Sequence, residues 1–242
     1  MKLLRVEVVT PVHNRREETL RCLRSIERAD TTGIDLHVIV VDDGSTDGSL
    51  EIIRKYENSL AYCVSEPDNG IYDAMNKAIL HAKGDWIYFL GADDVFFSPT
   101  VLEQVSKKLI SDDTVYYGNV LFKHSNKTYD GKFNILKLAT RNISHQSIFY
   151  PNAVFKKYKF NTAYKIFADY HLNIVLFNSE EFKFKYIPIT IAIFDDLGTS
   201  GSRVKDENFE KDRNAIFEKH FPRLVYLYRI LRSKIANQIS HR

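Results

Sequence analysis

The sequence predicts an α/β fold: a mostly parallel sheet with helices on both faces, followed by a C-terminal helical tail. Three observations predict it. Over the first hundred residues, short β-rich runs alternate with segments whose apolar residues recur at helical spacing. One of those runs, Leu36–Val41, is continuously apolar and rich in β-branched residues, as a strand buried on both faces must be. Beyond Glu218 the chain carries no acidic residue and shows a helical apolar stripe.

Taken in order, Leu3–Thr10 is a β-rich run that ends at Pro11, and Glu17–Arg28 places Leu20, Leu23 and Ile26 at helical spacing between charges. After the strand Leu36–Val41, Asp47-Gly48 opens a helix over Ser49–Tyr56, and Leu60–Val64 reads as a third strand. Ile71–His81 is helical, with Ala74, Ala78 and Ile79 inward, and Trp86–Leu90 is a fourth strand. The second half is less regular. Pro99–Ile110 reads as a helix, Val115–Asn119 as a strand, and Val120–Tyr129 as a hairpin with a polar tip at Ser125-Asn126. Gln146–Tyr150 is a strand candidate, Asp169–Phe177 a helix, and Phe182–Phe194 one or two strands interrupted by Pro188. Glu207–His220 and Pro222–Ile239 are helical.

At 242 residues the chain holds one sizeable core or two small ones, and a net charge of +3 is too small to point to nucleic acid. Cys22 and Cys63 have no CxxC spacing, which suits free thiols in a reducing compartment. The first residues meet a charge and then a strand pattern instead of a long apolar stretch, and no run approaches the ~20 apolar residues that span a bilayer. The expectation is a cytoplasmic protein, peripheral at most on the inner face of the membrane.

Acids recur where consecutive strands end: Thr10-Pro11-Val12-His13-Asn14-Arg15, then Val41-Asp42-Asp43-Gly44-Ser45-Thr46-Asp47, then Leu90-Gly91-Ala92-Asp93-Asp94. In a parallel sheet these loops share one edge, where ligands bind. Crowded carboxylates repel one another, and protonation or a bound cation relieves them. Hard cations with oxygen ligands, Mn2+ or Mg2+, suit such a site. The same residue types also make turns and cap helices, so either motif alone would carry little.

Together with Asn69-Gly70-Ile71-Tyr72-Asp73-Ala74-Met75-Asn76-Lys77, these blocks resemble the family 2 glycosyltransferases of the GT-A fold, whose sheet is Rossmann-like. Within that family they are most similar to bacterial enzymes that build exopolysaccharide, capsule or O-antigen. The resemblance implies a donor half over residues 1–98, an acceptor half over 99–204 and a basic amphipathic tail over 205–242. It implies inverting transfer of a hexose or N-acetylhexosamine from a nucleotide sugar, a UDP-sugar first, to a saccharide or lipid-linked saccharide. It places the nucleotide among Thr10, Pro11, Asn14, Arg15, Asp42, Asp43, Asn69, Asp73, Asn76 and Asp93. Asp43 would accept from the nucleobase imide, and Asp93 would ligate the metal.

The chain also departs from the family pattern. Gly91 stands where the first acid of the metal motif is expected, and Met75 where an arginine is expected. Asp73 and Lys77 would equally form a solvated pair on their helix. Asp169, in Phe167-Ala168-Asp169-Tyr170, matches the family's catalytic base, with Ala168 replacing a second acid; a first-turn carboxylate would also serve the helix dipole. Asp94, His145, Gln146 and Ser200 are the further candidates for acceptor or phosphate contacts.

The tail carries Lys219, Arg223, Arg229, Arg232, Lys234 and Arg242, with apolar residues at Phe221, Leu224, Val225, Tyr228, Leu231, Ile235 and Ile239. Residues 221–242 would suit a membrane surface. The same stripe would equally pack on the body of the protein or on a second copy, as in a homodimer. Two rival functions stand beside transfer: a nucleotidyltransferase, disfavoured because Thr10–Arg15 holds no glycine, and a non-catalytic sugar-nucleotide-binding module, favoured by Gly91 and Ala168.

Overall fold

A computed structural model describes residues 3–197 and 205–240, with the side chains of 234–240 excepted. The chain runs β1 (Leu4–Val12), α1 (Arg16–Glu27), β2 (Ile34–Asp42), α2 (Ser49–Lys55), β3 (Tyr62–Ser65), α3 (Ile71–Ile79) and β4 (Trp86–Phe89). These four strands pair in parallel in the order β3-β2-β1-β4. Their register aligns Val12 with Asp42 and Val9 with Phe89, so the three acidic loops leave the sheet along one edge.

The second half continues the same sheet through β5 (Val95–Phe96), α4 (Val101–Ser106), β6 (Thr114–Phe122), β7 (Thr128–Tyr129), α5 (Ile135–Leu138), β8 (Ile148–Pro151), α6 (Asn152–Phe155), α7 (Ala168–Phe177) and β9 (Lys183–Phe194). Beyond β4 the order is β8-β6-β9-β5 with β7 on β6, and the pairings are antiparallel except β6 with β9. The hairpin of β6 and β7 has the expected polar tip. Strand β9 is one strand that passes through Pro188. Its register against β6 shifts beside Gly118, where an added Cβ would lie 2.3 Å from the Ile189 carbonyl.

Both faces are covered. Cys22, Leu23 and Ile26 of α1, Ile53 of α2 and Leu102 of α4 bury against one face. Met75 and Ala78 of α3, Leu172 and Leu176 of α7 and Phe217 bury against the other. Phe217 lies on α8 (Glu207–His220), which leads into α9 (Arg223–Ser240). The apolar stripe of the tail divides there. Phe221 and Val225 face the body at 5% and 8% exposure, whereas Leu224, Leu227, Tyr228 and Leu231 lie outward, Leu224 at 81% and Leu231 at 61%. Arg229 is buried against the Phe217 ring, 3.9 Å from its centroid, so the body takes one turn of the stripe and leaves the other uncovered. No helix among the described residues is long and apolar enough to cross a membrane.

Candidate active site

The loops after β1, β2 and β4 enclose a cleft of about 350 Å³ lined by Pro11, His13, Arg15, Asp43, Gly91 and Asp93, with Tyr72 and Lys165 at its far side. Asp43 and Asp93 therefore open onto one space. Asp43 is held in place: its Oδ1 accepts from the Asp68 amide at 2.7 Å, and its Oδ2 lies 3.0 Å from His13 Nδ1. Asp93 has no side-chain hydrogen-bond or ion-pair partner among the described residues. Burial raises its proton affinity above the usual carboxylate range, and its own backbone N–H and the nearby Arg15 offset part of that rise.

Asp94 turns the other way and is fully buried. Its Oδ2 accepts from Gln146 Nε2 at 2.9 Å and its Oδ1 from the Asp195 amide at 3.0 Å, which ties the loop after β4 to the turn before β8 and to the residue after β9. Burial, and then the neighbouring Asp93 charge, pushes its pKa up to about 7. The paired carboxylates fold over Gly91, where an added Cβ would lie 2.8 Å from Asp94 Oδ2 and 2.9 Å from Asp93 Oδ1. Position 91 has no room for the acid that the family pattern expects. We expect Gly91→Ala to cost about 1–3 kcal/mol of stability through overpacking, read as a fall in Tm of several degrees by calorimetry; an unchanged Tm would remove this account of Gly91.

Several candidates named from the sequence hold the loops without lining the cleft. Thr10 is buried on β1 beside Cys22. Asn14, at φ 49°, accepts from the Thr46 amide, and Asp42 accepts from the Ser45 amide and the Ser65 hydroxyl. The Asn69 amide donates to Asp73, which also lies 3.9 Å from Lys77 on the same helix. Asn76 exchanges hydrogen bonds with both backbone groups of Phe160. Five of these six thus help hold the loops and the start of α3 in place, as short polar side chains near turns do, whereas the buried Thr10 hydroxyl has no hydrogen-bond partner among the described residues. Ser200 lies outside the described residues.

A second cavity, of about 510 Å³, opens beside the first and is lined by Phe122, Lys127, Tyr129, His145, Phe167 and Asp169 among others. Ile166 borders both. Asp169, at the start of α7, is 5% exposed, and its carboxylate is fixed at both oxygens. Oδ1 accepts from the Tyr170 amide at 2.7 Å and lies 2.9 Å from the Tyr72 hydroxyl, which shares its proton with the Ile166 carbonyl at 2.7 Å. Oδ2 lies 3.0 Å from His145 Nδ1. His145 is itself 4% exposed, and its Nε2 is buried with no partner. Such an orphan costs about 1–3 kcal/mol unless something bound satisfies it. Buried Asp206 orients the approach to α7, its Oδ2 accepting from the Ile166 and Phe167 amides. Ala168 points into the core, where a second carboxylate would be buried without water.

Sequence reasoning missed Tyr72, Lys165, His13 and Asp206. Tyr72, Met75 and Ile79 share one helix face, so Tyr72 reads as core until its hydroxyl is seen to reach Asp169. Lys165 lies in a segment without periodicity and reaches the cleft by donating to the Asn69 carbonyl at 2.5 Å. His13 was legible as part of the first loop, directly before Asn14.

Comparison with known proteins places this arrangement in a class. Residues 7–180 match the model of Glycosyl transferase family 2, and the chain belongs to that family. It is 31% identical over 211 residues to the PGL/p-HBAD biosynthesis glycosyltransferase of Mycobacterium bovis, covering 84% of this chain and 82% of that protein. It is also 31% identical over 195 residues to chondroitin synthase of Pasteurella multocida, of which it spans 20%. The fold is similar to that of S. aureus TarS 1-349 in complex with UDP-GlcNAc, at TM-score 0.72 and 20% identity, covering 88% of this chain and 65% of that one. It is also similar to the mannosyltransferase PcManGT of Pyrobaculum calidifontis in complex with GDP-Man and Mn2+, at TM-score 0.64 and 18% identity, covering 91% of this chain and 64% of that one. The GT-A architecture expected from the sequence is thus the one observed.

Proposed function

We propose that this chain transfers a hexosyl or N-acetylhexosaminyl group, with inversion, from a nucleoside-diphosphate sugar to a sugar hydroxyl in cell-surface polysaccharide assembly, with a UDP-sugar the first donor to test. The observation that carries the reading is the placement of Asp43 and Asp93 on one cleft, with Asp169 in the adjoining cavity across Ile166. Asp43, in the cleft beside Pro11 and Arg15, is placed to accept from a nucleobase imide, and Arg15 and Lys165 bring positive charge to the phosphates. The relatives' names, a PGL/p-HBAD biosynthesis glycosyltransferase and a chondroitin synthase, support a glycan-building role.

Among the described residues no group of three or more His, Cys, Asp or Glu side chains is arranged to hold a metal ion. The largely desolvated Asp93 carboxylate, bonded only to its own backbone N–H among the described residues, would nevertheless suit a hard cation that also takes oxygen ligands from a diphosphate. When bound, Mn2+ or Mg2+ would supply Lewis-acid stabilisation of the leaving diphosphate. Asp169 takes the proton of the attacking hydroxyl from the acceptor side, while the glycosidic bond to phosphate breaks on the donor side. One carboxylate acting from the face opposite the leaving group gives inversion. Release of nucleotide from UDP-, GDP- and dTDP-sugars with a panel of saccharide acceptors tests the reading; one nucleotide class with acceptor-stimulated release is expected, and release that no acceptor stimulates would overturn it.

Residues 221–242 extend the proposal to a membrane surface. The outward Leu224, Leu227, Tyr228 and Leu231 lie on a segment with basic residues and no acids, the chemistry that anionic lipid attracts. We expect the full chain to sediment with vesicles containing phosphatidylglycerol, and Leu224→Glu with Leu231→Glu to lose most of that binding. Equal recovery with and without anionic lipid would exclude it, and a concentration-dependent dimer abolished by the same pair would assign the stripe to a second copy.

A further inference from the structure

The pairing of His145 with Asp169 says something about the acceptor. Asp169 presents a carboxylate to His145 Nδ1 at 3.0 Å, and a carboxylate only accepts, so the partner assigns a proton to Nδ1, and in the neutral imidazole Nε2 is then a lone pair. That lone pair is buried, has no partner, and belongs to a side chain that lines the same cavity as Asp169. Asp169 Oδ1 is already engaged by the Tyr170 amide and the Tyr72 hydroxyl, so only Oδ2 has capacity for a substrate. Two acceptors thus belong to side chains that line one cavity, Oδ2 and Nε2, separated by the 3.0 Å hydrogen bond to Nδ1 and the width of the imidazole ring.

A lone alcohol can satisfy one of them. Adjacent hydroxyls on a pyranose ring can satisfy both, the attacking hydroxyl at Oδ2 and its neighbour at Nε2. Resting on the sugar-transfer reading, we propose that the acceptor is a pyranoside with a free hydroxyl next to the one that is glycosylated, and that His145 Nε2 is the residue that selects for it. His145 determines specificity, and Asp169 takes the proton. The acceptor O–H bond breaks as the new O–C1 bond forms, the C1–phosphate bond breaks, and the proton stays on Asp169 until solvent takes it.

The test is a cycle between enzyme and substrate. Methyl hexopyranosides and their monodeoxy counterparts are compared as acceptors, by nucleotide release, for wild type, His145→Asn and His145→Gln. The Asn amide can replace Nδ1–H toward Asp169 but has nothing at the Nε2 position; the Gln amide reaches that position. Wild type is expected to lose about 10- to 100-fold in kcat/KM when the neighbouring hydroxyl is removed, the cost of an unmet buried hydrogen bond. In H145N the parent glycoside is expected to lose a similar factor through acceptor KM, and the deoxy acceptor then costs less than about 3-fold more. H145Q is expected to restore part of the discrimination. The proposal falls if H145N and wild type are equally sensitive to the missing hydroxyl, or if long-chain alcohols and phenols serve as well as glycosides. It also falls if wild type turns over no glycoside. Binding of nucleotide with Mn2+ to wild type then shows whether the donor reading falls with it.

Discussion

Asp169→Asn is expected to lower kcat by roughly 10²–10⁴-fold, the usual contribution of a positioned general base. It should leave Tm and nucleotide binding close to wild type. Of the two acids among the described residues lining the acceptor-side cavity, Asp169 is the buried one, held through Tyr72, Tyr170 and His145, whereas the more exposed Asp196 is taken up by the amides of His124 and Ser125. An amide of the same shape keeps the contact with the Tyr170 amide and fits the same space, but it cannot take a proton. Nucleotide release under saturating donor and acceptor, measured beside a thermal melt, separates loss of chemistry from loss of fold. Retention of more than about a tenth of wild-type kcat would move the base to another residue.

Asp93→Ala is the second large effect, and it has opposite signs with and without ligand. Turnover is expected to fall about 10³-fold, because the carboxylate that would hold the cation against the diphosphate is gone and Lewis-acid stabilisation is worth several kcal/mol. The ligand-free protein should be no less stable than wild type. Asp93 is desolvated, has no ion-pair partner among the described residues and is crowded by Asp94, and its removal relieves a repulsion. The same crowding sets a pH dependence. Asp94 binds its proton more tightly folded, at about 7, than an unfolded aspartate does at about 3.9, so folding is favoured at low pH and loses stability as pH rises between those values. In D93A that loss should shrink, because one cause of the raised value is absent. Melts of the two proteins at several pH values between 4 and 8 check it; parallel curves would mean that the Asp93 charge does not reach Asp94.

The parallel half of the fold was legible because β2 ends in a continuous buried β-branched run, β1 and β4 are strongly apolar at their carboxyl ends, and turn residues follow β1, β2 and β4. That also made the edge carrying Asp43 and Asp93 legible, since parallel strands in one sheet must end together. The second half was harder to read for particular reasons. Val95–Phe96 and Ile135–Leu138 are too short to show any period. Pro188 reads as a break, yet the shifted register against β6 carries β9 past it. The tail stripe gave the helix but not its facing. Phe221 and Val225 are one step out of phase with Leu224, Tyr228 and Leu231, and only the position of Phe217 decides which set is buried. Within the site, the sequence could point to Asp169 and His145 separately. Their contact joins residues 24 positions apart through a turn that no local pattern describes.

The claim on which the rest depends is that Asp43 and Asp93 jointly hold a nucleoside diphosphate through a divalent cation. Thermal melting of the full chain with UDP, GDP or dTDP, each with and without Mn2+, tests it most directly. One nucleotide class at about 100 times its Kd should stabilise the fold by about 2.7 kcal/mol, a rise in Tm of several degrees for a chain of this size. The rise should require nucleotide and Mn2+ together and disappear in D93A. The same rise with nucleotide alone, or no rise with any nucleotide and cation, would contradict the account.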